Sequence, residues 1–331
     1  MGSIGDSRLA HRQTPRSDNI RDVFFFAHTR TASHVLCRLL SKQPGWNQSN
    51  YHFFHTFKWA RKTFGFGPAS GISPQHQKEL ERRLQEAFDE IQRARSSAAE
   101  ENRCILLKEH TFYIWEPARL LQSMWGGPSK QPSFTVIEKE SGDVLDIVKT
   151  NPTIFPDSFL RSWRPIFLIR HPAVSFESWY RAESGAQHVD ITDKSWAFYT
   201  TFRYQRELYD WFLTNQTDAQ SVPLIIDADD MLEDPTTINR LCELLNMDPT
   251  HVPSTWNAVE PEENASKRTM RFMGGYWEST TIDKSKSSRG LDIAKRYVLW
   301  QNEFGTEVAD ELLRLVEKAT ADYTYLKSRK I

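Results

Sequence analysis

The chain has 331 residues, of which 39% are hydrophobic and 12% aromatic, and it carries 42 basic and 43 acidic side chains. This length can bury a sizeable core without disulfide staples, and a net charge of −1 argues against a nucleic-acid-binding protein that works through overall charge. No apolar run reaches the length of a membrane span, and the polar first 20 residues hold no signal-peptide core, so the sequence predicts a cytoplasmic protein without a membrane anchor.

Short apolar runs alternate with helical patterns along the chain. The runs that predict strands are Val23–Ala27, Cys104–Leu107, Ile166–Ile169 and Leu224–Ile226. The helical patterns cover Ala32–Leu40, Gln75–Arg95, Val174–Ala182, Trp196–Leu213, Met231–Leu245 and Thr306–Tyr323. Continuous apolar strands are typical of a sheet covered on both faces. We therefore predict an α/β fold, a three-layer sandwich with a central parallel sheet flanked by helices.

Two segments do not follow this alternation. Residues 1–20 are polar and predict a flexible N-terminus, ahead of a single domain over residues 21–331. Residues from about 122 to 160 contain Gly126-Gly127-Pro128 and Asn151-Pro152, which predict an insertion. Such an insertion is either a loop over a substrate site or a plain surface hairpin.

The three cysteines, Cys37, Cys104 and Cys242, are far apart and lie in apolar segments, so they predict buried reduced thiols. The pair His52 and His55 has no cysteine or carboxylate partners at metal-ligand spacing, so we expect no metal site.

The first strand is followed by the sequence HTRTAS, which leads directly into a helix. Backbone amides at such a corner bind anions. The hydroxyls of Thr31 and Ser33 can donate hydrogen bonds, and the small Ala32 allows a phosphate to approach closely. Arg30 supplies a guanidinium cation with several N–H donors. The alternative is an ordinary capped helix with Arg30 in solvent. The G-x-x-x-x-G-K-[ST] motif of nucleotide triphosphatases is absent from this corner, which argues against an ATPase or kinase.

A second corner, IRHPAVSFES, places Arg170 at a strand end and Ser178 eight residues later, near the start of a helix. This pair is suited to binding a phosphate group. The alternative is that Arg170 only forms a salt bridge at the edge of the sheet.

A third corner, LLKEHTF, places Lys108, Glu109 and His110 directly after a strand. Strand alternation would turn Lys108 and His110 to the same side of the sheet. His110 is then a candidate general base, and a structural histidine is the alternative.

In their order and spacing, these three corners resemble motifs of the cytosolic-type sulfotransferase family, which uses 3′-phosphoadenosine 5′-phosphosulfate (PAPS) as donor. The family's Lys-Ser-Gly-Thr-Thr loop resembles the chain from Arg30 to His34, its Lys-Thr-His stretch resembles Lys108 to His110, and its last basic loop resembles Ser288-Arg289-Gly290. The donor-binding residues that the resemblance implies are Arg30, Thr31, Ala32, Ser33, His34, Arg170, Ser178, Arg289 and Gly290.

The resemblance implies a P-loop-type fold and transfer of a sulfuryl group to a hydroxyl of a small organic acceptor, without a metal. The product of the donor would be 3′-phosphoadenosine 5′-phosphate (PAP). Arg30 would neutralise the bridging oxygen and Lys108 the equatorial sulfuryl oxygens. His110 would take the acceptor proton, and Glu109 is a rival base.

Three positions depart from the family: Arg30 stands for a lysine, Val35 for an adenine-stacking tryptophan, and Ala228 for a tyrosine. The sequences of the motifs are similar to those of a divergent fungal branch of the family, which is often linked to secondary metabolism. Two alternatives therefore stay open. One is an enzyme that uses transient sulfation to drive elimination or cyclisation, and the other is a non-catalytic nucleotide-binding relative.

The acceptor pocket is expected to be apolar or aromatic. Its candidate walls are Trp46–Phe57, the insertion at 122–160, and Phe272–Trp277. The same aromatic density would also suit a packed core.

Overall fold

A five-stranded parallel sheet lies at the centre of the residues that the structure describes. The structure is a computed structural model that describes residues 20–68, 71–126, 133–138 and 148–331. Its strands lie in the order β2-β3-β1-β4-β5, and all neighbouring pairs are parallel. The strands are β1 (Val23–Ala27), β2 (Trp46–Asn50), β3 (Cys104–His110), β4 (Arg164–Ile169) and β5 (Leu224–Asp227). The predicted α/β fold with a central parallel sheet is confirmed.

Helices connect the strands and cover both faces of the sheet. Within the described ranges the α-helices are α1 (Ser33–Leu39), α2 (Phe54–Phe64), α3 (Pro74–Glu100), α4 (Pro117–Trp125), α5 (Asp157–Arg161), α6 (Pro172–Ser184), α7 (Arg203–Thr214), α8 (Ala228–Glu233), α9 (Pro235–Leu245), α10 (Lys267–Trp277), α11 (Ile293–Phe304) and α12 (Thr306–Lys327). Every helix in these ranges is too short or too polar to cross a lipid bilayer.

Alternate residues of the central strand enter two different cores. Phe24 and Phe26 pack in the larger core, with residues of α2, α3, α7 and α12. Val23, Phe25 and Ala27 pack in the smaller core, with residues of α1, α8 and α9. This alternation explains why the run is apolar throughout, since both faces of β1 are buried.

The third strand is longer than its apolar run indicates. The sequence predicts its end at Leu107, but β3 continues to His110, and Lys108, Glu109 and His110 pair in register with β1. These three polar residues therefore belong to the strand rather than to a corner after it, which corrects the prediction. Because the strand continues, the alternation of its side chains also continues through them.

Two predicted helices are each divided in the structure. The pattern Trp196–Leu213 splits into a 3₁₀ segment, Lys194–Tyr199, and α7. The pattern Met231–Leu245 is interrupted at Asp234, which is extended (φ −120°) and caps α9 by accepting a hydrogen bond from the Thr236 amide at 2.9 Å. Pro235 follows it and cannot donate the backbone bond that would continue α8.

Part of the predicted insertion belongs to the core. The Ile154 amide donates to the Ile114 carbonyl at 2.9 Å, and the Val136 amide donates to the Ile154 carbonyl at 2.9 Å. Phe155 and Phe159 are buried. The remaining residues of the insertion, 127–132 and 139–147, lie outside the described residues, as does the predicted flexible N-terminus up to residue 19.

Candidate functional site

A cavity of about 410 Å³ lies at the carboxyl ends of the central strands. Its wall contains most of the residues that the sequence singles out: Arg30, Ala32, Ser33, His34, His110, Arg170 and Ser178. Five other predicted site residues are not part of the wall: Thr31, Lys108, Glu109, Arg289 and Gly290. Parallel α/β sheets commonly bind ligands at this edge.

The first corner is held in a strained conformation. Arg30 and Ala32 have φ angles of 61° and 63°, a region that residues with side chains rarely adopt. No side chain caps α1, and the Thr31 hydroxyl donates to the His28 carbonyl at 2.7 Å. The ordinary capped helix, one of the two alternatives from the sequence, is therefore not what the structure shows. Such strain is typical of ligand-binding loops.

Two arginines connect the first and second corners. Arg30 donates through Nε to the Ser178 hydroxyl (2.9 Å) and through Nη1 to the Phe272 carbonyl (2.7 Å). Arg170 donates to the carbonyls of Arg30 (2.8 Å) and Lys286 (2.5 Å). Burial lowers the pKa of Arg170 to about 10, which still leaves it charged at neutral pH. In the described part of the chain, no ion pair joins either guanidinium to a carboxylate, so both charges are available to an anionic ligand.

Lys108 lies just behind the cavity wall and is only 1% exposed. Its ammonium is 3.4 Å from Nδ1 of His34 and 4.2 Å from the centre of the Tyr51 ring. Burial alone would lower the pKa of Lys108, but the neighbouring Cys37 and Tyr51 groups raise it above its usual value. Lys108 is thus a buried cation, and no ion pair to it occurs among the described residues.

His110 lines the cavity beside aromatic rings. Its ring centre lies 5.0 Å from that of Tyr51 and 5.1 Å from that of Tyr113. Burial, followed by the charge of Lys108, holds the pKa of His110 well below its usual value. Its Nδ1 is buried and has no hydrogen-bond partner among the described residues. The imidazole is therefore neutral at neutral pH, the state that a general base requires.

Glu109 points to the other face of the sheet. It is fully buried, and its Oε1 accepts a hydrogen bond from the Phe53 amide at 3.4 Å. Burial raises the pKa of Glu109 to about 8, partly opposed by the backbone amides of His52 and Phe53. The carboxyl group is therefore mostly protonated at neutral pH, away from the cavity.

The raised pKa of Glu109 makes protein stability depend on pH. A carboxyl group whose pKa is higher in the folded state contributes stability below its unfolded pKa and loses it as pH rises through the folded value. Glu109→Gln should therefore gain stability relative to the parent, by up to about 1.4 kcal/mol per pH unit between about pH 5 and pH 8. Urea unfolding across this range measures the difference, with Glu317→Gln, at an exposed position of α12, as control. A difference that is the same at pH 5 and pH 8 would contradict the prediction.

Arg289 is directed away from the cavity. It forms ion pairs with Asp230 (3.1 Å) and Glu233 (2.8 Å), and its side chain is 57% exposed. Gly290 follows with φ 72°. From the same segment, the cavity wall receives Lys286 instead.

The sequence did not single out several residues of the wall. Tyr51 lay inside a predicted aromatic acceptor segment without a role of its own, and Phe272 and Tyr276 lay in a second such segment. Lys286 could have been found from the basic character of KSKSSRG. Of the family departures, Val35 lines the cavity and Ala228 is buried.

An apolar pocket of about 30 Å³ lies beyond His110, between α2 and α4. Phe112 and Tyr113 line it, and the same two rings lie 5.6 Å and 5.1 Å from the His110 ring. Aromatic side chains of this pocket therefore lie beside the candidate base.

His52 and His55 are separate from the cavity wall. His52 contacts Glu90 at 3.4 Å and the Ser49 hydroxyl at 2.7 Å. Across the described ranges, no group of three or more histidine, cysteine, aspartate or glutamate side chains is arranged to hold a metal ion. The three cysteines are free thiols.

The fold and the site together define an α/β protein with a cationic cavity suited to a small anionic ligand. The chain is 30% identical to a protein named sulfotransferase ppzF from Metarhizium majus (strain ARSEF 297), with 93% of this chain and 96% of that protein covered. It is also 30% identical to the sulfotransferase ppzF of Metarhizium rileyi (strain RCEF 4871), with coverages of 93% and 95%. The chain belongs to the sulfotransferase family and is an enzyme of that family.

Other comparisons are more distant. No family model matches the chain. A sulfotransferase domain from the curacin biosynthetic pathway is 14% identical, with a TM-score of 0.39 over 82% of this chain and 90% of that one. Retinol dehydratase in complex with androsterone and PAP is 15% identical, with a TM-score of 0.36 over 91% of this chain and 80% of that one.

Proposed function

We propose that the enzyme transfers a sulfuryl group from PAPS to a hydroxyl of a small organic acceptor. The observation that carries this proposal is the convergence of Arg30 and Arg170, without carboxylate partners in the described chain, on one cavity that also contains the neutral His110. A donor with two separated phosphate positions requires two cationic corners, and a hydroxyl acceptor requires a base.

The positive charge of the cavity supports binding of PAPS. When bound, PAPS supplies a sulfuryl group on a phosphate leaving group. The first corner, from Arg30 to His34, would hold the phosphosulfate end, and Arg170 and Ser178 would hold the 3′-phosphate. His110 would take the proton of the attacking hydroxyl, and its position in the cavity wall and its lowered pKa support this role.

The acceptor that fits best is an apolar or aromatic alcohol, such as a secondary metabolite. The rings of Tyr51 and Phe272 line the cavity, and Phe112 and Tyr113 form the apolar surroundings of His110. Flat apolar ligands pack well against such rings.

Thermal unfolding with nucleotides tests the donor. A ligand at about 100 times its Kd raises the free energy of unfolding by roughly 2.7 kcal/mol. We expect PAP to stabilise the protein strongly, and AMP, ADP and ATP to do so far less, because only PAP offers a 3′-phosphate to Arg170 and Ser178. Equal stabilisation by all four nucleotides, or a preference for ATP, would overturn the assignment of the donor.

Product analysis tests the reaction. The enzyme is incubated with PAPS and a panel of phenols, primary alcohols and sterols, and products are examined by mass spectrometry. A product heavier than its alcohol by one sulfuryl group supports simple transfer. A product lighter than its alcohol by one water, formed only with PAPS, would instead show that sulfation drives an elimination.

A further inference from the structure

Tyr51 contacts both the first corner and Lys108. It follows β2 with a φ of 60°, which is rare for a bulky residue, and its amide donates to the Lys108 carbonyl at 3.0 Å. Its side chain lines the cavity. The hydroxyl lies 3.4 Å from Nε2 of His34 and 3.5 Å from the Ser33 hydroxyl. A strained residue so close to the first corner is a candidate for function.

The charge of Lys108 reaches the cavity through Tyr51 and His34. Lys108 is 1% exposed and does not line the cavity, whereas both of its neighbours do. Its ammonium lies 4.2 Å from the centre of the Tyr51 ring and 3.4 Å from Nδ1 of His34. Tyr51 and His34 therefore link the ammonium to the cavity wall by direct contact.

The hydrogen bonds of this group run in one direction. An ammonium has no acceptor, so Lys108 donates to Nδ1 of His34. A neutral His34 then carries its proton on Nε2 and donates it to the Tyr51 oxygen. Tyr51 is left with its own O–H to donate, toward Ser33 and the cavity. Contacts of 3.4–3.5 Å are long, as is common in catalytic sites before the ligand binds.

The Tyr51 hydroxyl adds a hydrogen-bond donor beside the first corner. Arg30 already uses two of its N–H groups on Ser178 and the Phe272 carbonyl. We propose that Tyr51 is a further catalytic residue of the transfer reaction, and that its hydroxyl donates a hydrogen bond to the oxygen linking the phosphate and sulfuryl groups of the donor. This inference rests on the function proposed above.

The proposed bond strengthens as the reaction proceeds. Negative charge grows on the linking oxygen while its bond to sulfur breaks. A fixed hydroxyl that donates a hydrogen bond to this oxygen stabilises the transition state more than it stabilises bound PAPS. Lys108 polarises the Tyr51 hydroxyl through His34, and its cation–π contact holds the Tyr51 ring in place. Tyr51 keeps its proton throughout.

The test compares Tyr51→Phe with the parent enzyme in single-turnover conversion of PAPS to PAP. The acceptor is the best alcohol of the panel, or water if none reacts. Loss of one such donor typically costs about 10²-fold or more in rate. We expect this loss in the rate at saturating PAPS, with the KM for PAPS and the Kd of PAP nearly unchanged. Tyr325→Phe on α12 removes a hydroxyl that bonds to Asp210 and serves as the matched control.

The outcomes separate this inference from the proposed function. A parent enzyme that converts PAPS, together with a Tyr51→Phe variant within about threefold of its rate, would overturn the role of Tyr51 alone. Weaker PAP binding and a lower unfolding temperature that together account for the lost rate would also overturn it, because they indicate a structural role. A parent enzyme that neither binds PAP nor converts PAPS would overturn both proposals. A second variant, Tyr51→Asn, tolerates the positive φ and should show at least the same loss.

Discussion

His110→Ala should lower the turnover number by about 10²- to 10⁴-fold, the range typical for loss of a general base. The imidazole lines the cavity, and its buried Nδ1 has no partner in the described chain. Binding of PAP should be unaffected, because the cationic corners at Arg30 and Arg170 stay intact. Turnover and the PAP-induced thermal shift, measured on the same preparation, separate the two effects.

The pH profile provides a second measure of the same role. A base must be unprotonated to act, and burial holds the pKa of His110 well below its usual value. The fall of kcat/KM on the acid side should therefore lie below about pH 6.5, the ordinary pKa of histidine.

Two variants serve as comparisons for His110→Ala. His251→Ala changes an exposed histidine paired with Asp248 and should leave turnover unchanged. Glu109→Gln should keep turnover as well, because Glu109 faces away from the cavity. A large loss in Glu109→Gln with normal turnover in His110→Ala would reverse the assignment of the base.

Lys108→Met should lower the turnover number by about 10²- to 10³-fold, because the variant lacks the charge behind His34 and Tyr51. Methionine keeps the unbranched apolar stem, and no ion-paired carboxylate in the described chain loses its partner, so the fold should persist. The Kd of PAP should rise by less than about tenfold, since PAP lacks the sulfuryl group.

The control for this variant is Lys318→Met, which removes a charge from the exposed surface of α12. Steady-state kinetics and PAP titration are run on both variants. Normal turnover in Lys108→Met would show that the ammonium has no part in the reaction. A loss of turnover that comes only with unfolding would show that Lys108 serves the core.

The central sheet was predictable because its strands are apolar on both faces. β1 is found where the sequence predicts it, at Val23–Ala27. The sequence did not predict β2, because WNQSN is mostly polar. A polar strand is possible here because β2 lies at the edge of the sheet, where Gln48 and Asn50 are exposed. Apolar runs find the buried centre of a sheet more readily than its edges.

The site was predictable where a motif follows a strand directly. The corners at Arg30 and Arg170 face one cavity because parallel strands end at the same edge. The outward turn of Arg289 depends on Asp230 and Glu233 of α8, which are close only after folding. The position of Tyr51 over Lys108 likewise depends on the pairing of β2 with β3. Contacts of this kind leave no local signal in the sequence.

The bond between Arg30 and the Phe272 carbonyl joins residues 242 positions apart in the chain. The bond between Arg170 and the Lys286 carbonyl joins residues 116 positions apart. During synthesis the strands of the described sheet are all made before α10, so a ribosome-bound chain that ends between residues 228 and 271 holds these strands but lacks the cavity residues of α10. The cavity of the nascent enzyme can therefore be completed only after α10 has emerged, later than the strands.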